Sequence, residues 1–323
     1  MKKSGRKNLS ASRCAVACIA ALISLSACRP SANTSAESCR QEIADSVSRI
    51  AARYPAEIGV AVIIGDRDTI TVNDRNVYPM MSVFKLHQAI AVCHRFDLEG
   101  LSLDSVLTVD RADLDLATWS PMLNEHTASR ISLPVKELLR YSLSLSDNNA
   151  SNLMFDRLVS VAATDSLIAT LIPRSAFRIA YSEHEMAALH DRAYANATSS
   201  LGAAMLINRL FTDSLMSPEK QDFITSTLRD CRTGTDRIAA PLLGKDGVSI
   251  AHKTGSGYVN AKGELVAHND VAYITLPDGR SYSLAVFVKD LKGNELQASE
   301  AIARISEAVY SVVCRESACK DAG

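Results

Sequence analysis

The chain has 323 residues, 47% of them hydrophobic, with 35 basic and 36 acidic side chains and a formal net charge of -1. That length and apolar content suffice for one large domain or two closely packed lobes, and the balanced charge removes any electrostatic reason to invoke nucleic acid or a polyanionic partner. Nine prolines and 14 glycines, without a repeat period, exclude fibrous and solenoid architectures.

Lys2, Lys3, Arg6, Lys7 and Arg13 form a positive segment ahead of an apolar run, Cys14 to Ala27, which is too short to span a bilayer. Residues 1–27 therefore read as an export signal. Its end, Leu25-Ser26-Ala27-Cys28, resembles the bacterial lipobox, cut before a cysteine that then carries lipid, so Cys28 is the expected lipidation site. The alternative is ordinary signal-peptide cleavage with Cys28 incidental. Either route places the mature protein outside the cytoplasm, in the periplasm, touching a membrane only through such an anchor. The Ser/Ala/Asn/Thr-rich stretch that follows makes residues 28–38 a tether.

Apolar periodicity at Ile43, Val47 and Ile50 predicts a helix over Cys39 to Tyr54, stopped by Pro55. Strand-like runs follow at Ile58 to Ile64 and Thr69 to Val72, joined as a hairpin through Gly65-Asp66-Arg67-Asp68. Leu86 to Phe96 is strongly apolar and helical, closing near Gly100, and Leu101 to Pro134 is irregular. Helices are predicted at Val135 to Leu145, Asp147 to Val161, Ser200 to Phe211 and Pro218 to Leu228. Beyond Thr233 the character turns to strand, at Val248 to Lys253, Leu265 to Leu276 and Tyr282 to Lys289, before a closing helix from Glu295 to Val313. With strands at both ends and helices between, the economical arrangement is an α+β sandwich. One antiparallel five-stranded sheet is built from both chain ends and flanked by the terminal helices, with an all-helical lobe inserted. Residues 39–323 form one domain, its sheet lobe at 39–80 and 233–323 and its helical lobe at 81–232. No tail or coiled-coil repeat suggests assembly, so a monomer is expected.

Of eight cysteines, Cys39, Cys93, Cys231, Cys314 and Cys319 lie beyond the cleavage point. If the terminal helices pack together, Cys39 can bridge to Cys314 or Cys319 in an oxidising compartment. Cys93 reads as a small core residue. His184-Glu185 followed by His190 hints at a zinc helix, but six residues is about 240° around a helix when two ligands need one face. No metal and no cofactor is expected.

Three short stretches carry chemistry. Ser82-Val83-Phe84-Lys85 stands at the mouth of the apolar helix, where residues three apart share a face. A lysine one turn on can stabilise the serine alkoxide or, if desolvated, take its proton, which makes Ser82 a candidate nucleophile. The spacing alone is weak, since Ser4 to Lys7 and Ser217 to Lys220 also fit it. Ser146-Asp147-Asn148 begins a helix, where a plain polar cap is the competing reading. Lys253-Thr254-Gly255 ends a strand, where a solvated lysine and a glycine turn compete.

Together, in this order, Ser-x-x-Lys, Ser-Asp-Asn and Lys-Thr-Gly resemble the signature of the penicillin-recognising serine enzymes, the class A β-lactamases and penicillin-binding proteins. Ala-His-Lys-Thr-Gly-Ser-Gly, Val-Ala-Tyr and Ala-Val-Phe-Val-Lys-Asp narrow the resemblance to class A β-lactamases of the extended-spectrum CfxA and PER type. The resemblance implies small β-lactam substrates, penicillins and cephalosporins, and an acyl-enzyme on Ser82. It implies that Ser146 passes a proton to the leaving nitrogen and that Asn148 positions the acylamino side chain. Lys253, Thr254 and Ser256 take the substrate carboxylate, and the N–H groups of Ser82 and Ser256 form an oxyanion hole. Glu183 is the implied base for deacylation, within Glu183-His184-Glu185-Met186-Ala187; Glu185 is the alternative, and Ala187 stands where these enzymes place a water-holding Asn. Asn196 resembles the residue that pins that loop's far end. Whether Lys85 or Glu183 takes the serine proton stays open. Trp119 matches an aromatic at the cleft mouth or is a lone core indole, and Arg237 supplies carboxylate-binding charge or is a surface arginine. Two other readings share the motifs: a D,D-peptidase or related esterase, which Glu183 argues against, and a catalytically silent binder, which the intact Ser82, Lys85, Ser146 and Lys253 argue against.

Overall fold

The computed structural model describes residues 32–65 and 68–320. In chain order the elements are α1 (Ala32–Ala51), β1 (Glu57–Ile64), β2 (Asp68–Val72), β3 (Tyr78–Pro79), a 3₁₀ turn (Met81–Val83), α2 (Phe84–Leu98), β4 (Val106–Asp110), α3 (Pro121–Glu125), β5 (Arg130–Pro134), α4 (Val135–Ser144) and α5 (Asn148–Arg157). There follow α6 (Val161–Leu171), β6 (Phe177–Arg178), α7 (Glu183–Ala188), β7 (Ala197–Thr198), α8 (Ser200–Thr212), α9 (Pro218–Arg229), β8 (Ser249–Ser256), β9 (Leu265–Thr275), β10 (Ser281–Leu291) and α10 (Glu295–Lys320).

The main sheet runs β2-β1-β10-β9-β8 with every neighbouring pair antiparallel, so both chain ends interleave in one sheet. Strand alternation sorts its side chains onto two cores. Ile58, Val60 and Val62 of β1, with Leu284, Val286 and Val288 of β10, pack beneath α1 and α10, where Ile43, Val47, Ile302 and Ile305 face them. Ala61, Ile63, Ala285 and Phe287 point the other way, into the core of the helical lobe. Because β9 and β10 are covered on both faces, both are buried along most of their length, β10 as an apolar run from Leu284 to Val288 and β9 with His268-Asn269-Asp270 set among its apolar residues. In the helical lobe every residue from Phe84 to Cys93 is buried, so α2 is its axis rather than a one-sided amphipathic helix. The polar members of that run find partners where they can: Gln88 and Ser151 bond each other twice, at 2.9 Å.

Several expectations are corrected. The helix predicted from Asp147 to Val161 is two helices: Asp147 caps α5, and Ser160 starts α6 by accepting from the Ala163 N–H. Residues 101–134 are not irregular, since β4 and β5 pair with Val109 opposite Ile131. Only two inward apolar residues per strand carried that signal. Lys253-Thr254-Gly255 lies inside β8, which continues to Ser256 and pairs with β9 throughout. Helix α1 begins at Ala32, inside the stretch read as tether, because Ala and Glu residues there propagate a helix already nucleated by its packed C-terminal half. Cys314 carries a free thiol, so no Cys39–Cys314 bridge joins the terminal helices; the Cys319 side chain, Asp66, Arg67 and the export signal with Cys28 lie outside the described residues.

Candidate active site

The turn bearing Ser82 is held by backbone geometry that few sequences tolerate. Met81 adopts φ 47°, the left-handed region, immediately before the serine, and a non-glycine residue there stores roughly 1–3 kcal/mol that surrounding contacts must offset. Those contacts are visible. Asn269 on β9 donates to the carbonyls of Pro79 at 2.8 Å and Met80 at 3.2 Å, and Met80 N–H donates to the Asn196 carbonyl at 2.8 Å. On the other side β8 comes so close that a Cβ on Gly255 would collide with the Met80 carbonyl, which accounts for the glycine of Lys-Thr-Gly.

One turn on from Ser82, at the start of α2, the Lys85 ammonium, 0% exposed, donates to Ser82 Oγ (2.8 Å), the Ser146 carbonyl (2.9 Å) and Asn148 Oδ1 (2.6 Å), and pairs with Glu183 Oε1 at 2.8 Å. Ser82 Oγ in turn donates to Glu183 Oε1 at 3.0 Å. Serine, lysine and glutamate thus close a triangle in which each touches the other two. Glu183 is the first residue of α7. Glu185 is otherwise occupied: its carboxylate accepts from the Ser182 N–H at 2.8 Å while Ser182 Oγ accepts from the Glu185 N–H, a complete capping box. The loop's far end is tied by Asn196, whose amide accepts from Ala180 and Tyr181 and donates to the Tyr181 carbonyl at 2.7 Å. Ala187, one turn after Glu183, is exposed.

Ser146 bridges the two sides of the cleft. Its φ of 58° lets the carbonyl face Lys85 while Oγ accepts from Lys253 Nζ at 3.0 Å. Asp147, fully buried, anchors the turn through Ser120 Oγ, Met122 N–H and Ala150 N–H. Burial nonetheless pushes its carboxyl above the ordinary range, with those bonds opposing. Asn148 also donates to Thr118 Oγ1 at 2.9 Å.

Lys253 is 0% exposed and, among the described residues, hydrogen-bonds to Ser146 Oγ and the Thr254 carbonyl. Burial first, and then the like charge of Lys85, lowers it from its ordinary value to about 7. Thr254 Oγ1 meets Thr233 Oγ1 at 2.6 Å. Arg237 is not a surface residue. It is buried, donates to the Asn269 carbonyl at 2.7 Å and to Ser256 Oγ at 2.6 Å, and so brings its charge to the end of β8. Nor is Trp119 a core indole: it is 62% exposed, its Nε1 donating to the Leu145 carbonyl and its own carbonyl accepting from Asn148 N–H, beside the Ser146 turn.

The decoy motif shows what a structural Ser-x-x-Lys looks like: Ser217 N–H and Oγ and Lys220 Nζ all converge on Asp97 at 2.6–2.7 Å, leaving neither side chain free for chemistry. Ser4 to Lys7 lies outside the described residues. Sequence reasoning missed Asn269, Thr233 and Thr118, which position the site without any motif of their own. It also missed a buried pair behind Lys253, His252 with its Nδ1 3.0 Å from Asp270.

The family model described as the Beta-lactamase enzyme family matches residues 41–313. A β-lactamase of Phocaeicola vulgatus is 58% identical over 321 residues, covering 98% of this chain and 99% of its own. The extended-spectrum β-lactamase PER-1 of Pseudomonas aeruginosa is 34% identical over 256 residues, covering 79% of this chain and 82% of its own. Among solved structures, a representative class A β-lactamase from Bacteroides cellulosilyticus superposes with a TM-score of 0.81 at 28% identity, over 85% of this chain and 98% of that one.

Proposed function

The chain belongs to the β-lactamase enzyme family, as a class A serine β-lactamase, and within that activity we propose that Ser82 is the nucleophile and Glu183 the base that frees it. The observation that carries the reading is the triangle of Ser82 Oγ, Lys85 Nζ and Glu183 Oε1 at 2.8–3.0 Å. Ser82 attacks the lactam carbonyl, whose oxygen is received by the N–H groups of Ser82 and Ser256. The second of these lies on β8, an edge strand that the bare Gly255 lets approach the serine turn. Of the two candidates for the serine proton, the bonding favours Glu183: Ser82 donates to it, whereas Lys85 donates to Ser82. Lys85 then holds the developing alkoxide. Ser146, whose oxygen accepts from Lys253, keeps its own proton free for the departing ring nitrogen. Asn148 has one N–H on Thr118 and a second for the substrate's acylamino group, and Trp119 shields the cleft mouth. Lys253, Thr254, Ser256 and Arg237 receive the substrate carboxylate, in penicillins and cephalosporins alike. Glu183 finally drives water onto the Ser82 ester, a step that separates this reading from an acyl-retaining D,D-peptidase. With the Ala187 methyl where an amide would help, that water is held by Glu183 and Ser82 and by a third group outside the motif, so deacylation is slowed for some substrates.

Incubation with a chromogenic cephalosporin, followed by intact mass spectrometry, tests the assignment. Turnover without a lasting adduct is expected of the native chain, and Glu183→Gln should accumulate acyl-enzyme on Ser82. Accumulation on Glu185→Gln instead would move the base to Glu185. We further propose that the enzyme is exported as a monomer to the periplasm and anchored by lipid on Cys28. Radioactive fatty-acid labelling that fails to mark Cys28 would remove the anchor, and light scattering reads the assembly state.

A further inference from the structure

Among the described residues, Asn73, Met81, Ser146 and Asp290 are the non-glycine positions on left-handed backbone. Met81 and Ser146 shape the serine cleft, and Asn73 follows β2, where its amide donates to the Ile58 carbonyl. Asp290 is different. It lies within β10 at φ 52°, and it drops out of the ladder between Lys289, opposite Ala267, and Leu291, opposite Leu265. Strand residues are extended by default, so an inverted one persists because its surroundings fix it. Asp290 also ends Ala-Val-Phe-Val-Lys-Asp, a stretch to which the serine mechanism gives no task.

What fixes it comes from the loop that presents Glu183. Asp290 Oδ1 accepts from the Tyr194 hydroxyl at 2.6 Å, while Oδ2 lies 3.9 Å from Lys289 Nζ, itself paired with Glu57 at 3.1 Å. Tyr194 stands in the 3₁₀ segment His190–Ala195, the return arm of the chain after α7. That arm is bonded back to the start of the loop on both sides of the tyrosine. Arg192 holds its guanidinium 4.8 Å from the centre of the Tyr181 ring and donates to the Glu185 carbonyl, and Asn196 grips the Ala180 and Tyr181 backbone. The Asn196 carbonyl also receives the N–H of Met80, just ahead of the nucleophile turn. One frame joins the main sheet, the return arm, the Glu183 helix and Ser82.

We propose that Tyr194 and Asp290 form a latch that aims Glu183 for deacylation, both as positioning residues acting through the loop. This rests on the Glu183 base assigned above. In the free enzyme Glu183 Oε1 is held from inside the cleft, by Ser82 Oγ at 3.0 Å and Lys85 Nζ at 2.8 Å. Acylation turns Ser82 Oγ into an ester oxygen with no proton to donate, so one of those ties is lost just when water must be aimed. Glu183 then depends on Lys85 and on the loop that carries it. The latch borders a groove of about 580 Å³ with Asp191, Tyr258 and Lys262, where water competes for the bond. Its loss should therefore slow deacylation by roughly 3- to 10-fold, the effect of one hydrogen bond, without abolishing it.

Two variants of the full chain test the latch. Tyr194→Phe removes only the hydroxyl, and Asp290→Gly removes the carboxylate while leaving the left-handed backbone unstrained. Rapid-quench mass spectrometry, with a cephalosporin whose deacylation limits turnover, reads the lifetime of the adduct on Ser82. Both variants should deacylate about 3- to 10-fold more slowly than the native chain, kcat and KM falling together while kcat/KM, which reports acylation, changes by less than about twofold. The double variant should be no slower than either single one, since both remove the same bond. Asp290→Asn, whose amide oxygen still accepts from Tyr194, should recover most of the rate. A native deacylation rate in Tyr194→Phe overturns the latch, as do additive losses in the double variant or equal falls in kcat and kcat/KM, the marks of a merely loosened fold. Glu183→Gln judges the base separately: free turnover there removes that assignment, whereas slow deacylation in Tyr194→Phe still supports the latch, because Glu185 rides on the same helix.

Discussion

Two fully buried lysines face each other across the cleft, and their surroundings are opposites. Lys85, on the helical side, has a carboxylate, a hydroxyl, a carbonyl and an amide oxygen within 2.6–2.9 Å. Lys253, on the sheet side, has a hydroxyl and a carbonyl at 2.8–3.0 Å, and among the described residues no carboxylate within ion-pair distance. A buried charge without its counter-ion is costly, several kcal/mol after relaxation, and the fold accepts that cost at one lysine only. The difference teaches which half does which job. A cation with a resident carboxylate is wired for moving protons, and a cation left short of one is a receptor for an anion that the substrate brings.

The largest effect should come from removing the atom both halves serve. Ser82→Ala is expected to lower kcat by at least about 10³-fold while leaving the thermal transition in place, since truncating a nucleophile removes the covalent route entirely. Chromogenic turnover beside a melting curve reads it. Retained turnover would leave the triangle of Ser82, Lys85 and Glu183 without a purpose.

Paired lysine substitutions then probe the contrast itself. Lys85→Ala should fall mainly in kcat, by about 10²–10⁴-fold, as loss of the charge that holds the developing alkoxide and keeps Glu183 placed to take the proton. Lys253→Ala should raise KM by roughly 10- to 100-fold, because a charge-assisted bond to an anion contributes about 1.5–3 kcal/mol. Equal kcat effects from both would dissolve the division of labour.

Acidity sharpens it further. Lys253 in the free enzyme titrates near 7, against 10.5 for an ordinary lysine, so kcat/KM should decline as pH rises through 7 and the receptor loses its charge. Stability should move the other way. Between about pH 7 and 10.5 the unfolded chain binds a proton that the fold does not, so stability rises with pH across that window, and below it the full penalty of the buried charge applies. Urea midpoints should climb from pH 7 to pH 9 in the native chain and flatten in Lys253→Met.

What was legible in the sequence follows the same physics. Ser82, Lys85, Ser146, Asn148, Glu183, Lys253 and Thr254 sit in short contiguous motifs because a single turn or strand end carries each group, and local chain geometry is what a motif encodes. The groups that hold those turns come from afar. Asn269 pins Pro79 and Met80 across 189–190 residues, and His252 meets Asp270 only because β8 and β9 pair in one register. Nothing near either in sequence announces the contact. Arg237 and Trp119 stayed two-valued for the related reason that burial is decided by what packs on a side chain; the buried arginine and the exposed indole reverse ordinary expectation. The hairpin of β4 and β5 and the separate helix α6 escaped because each showed too few inward apolar positions to break a turn-rich background.

The smallest effect concerns the two glutamates of one short helix, of which the spacing to Met186 favours Glu183 as the base. Glu183 leans into the cleft and Glu185 folds back on the Ser182 N–H, two positions apart on a six-residue helix whose faces differ by about 200°. Glu185→Gln keeps the shape of the capping box and weakens only its charge. The expected cost is a few tenths to about 1 kcal/mol, seen as a slight fall in melting temperature with the deacylation rate unchanged. Glu183→Gln should do the reverse, stalling the acyl-enzyme while costing little stability. If single-turnover mass spectrometry found both variants equally stalled, α7 would be acting as one rigid platform, and the base would depend on the cap that aims it.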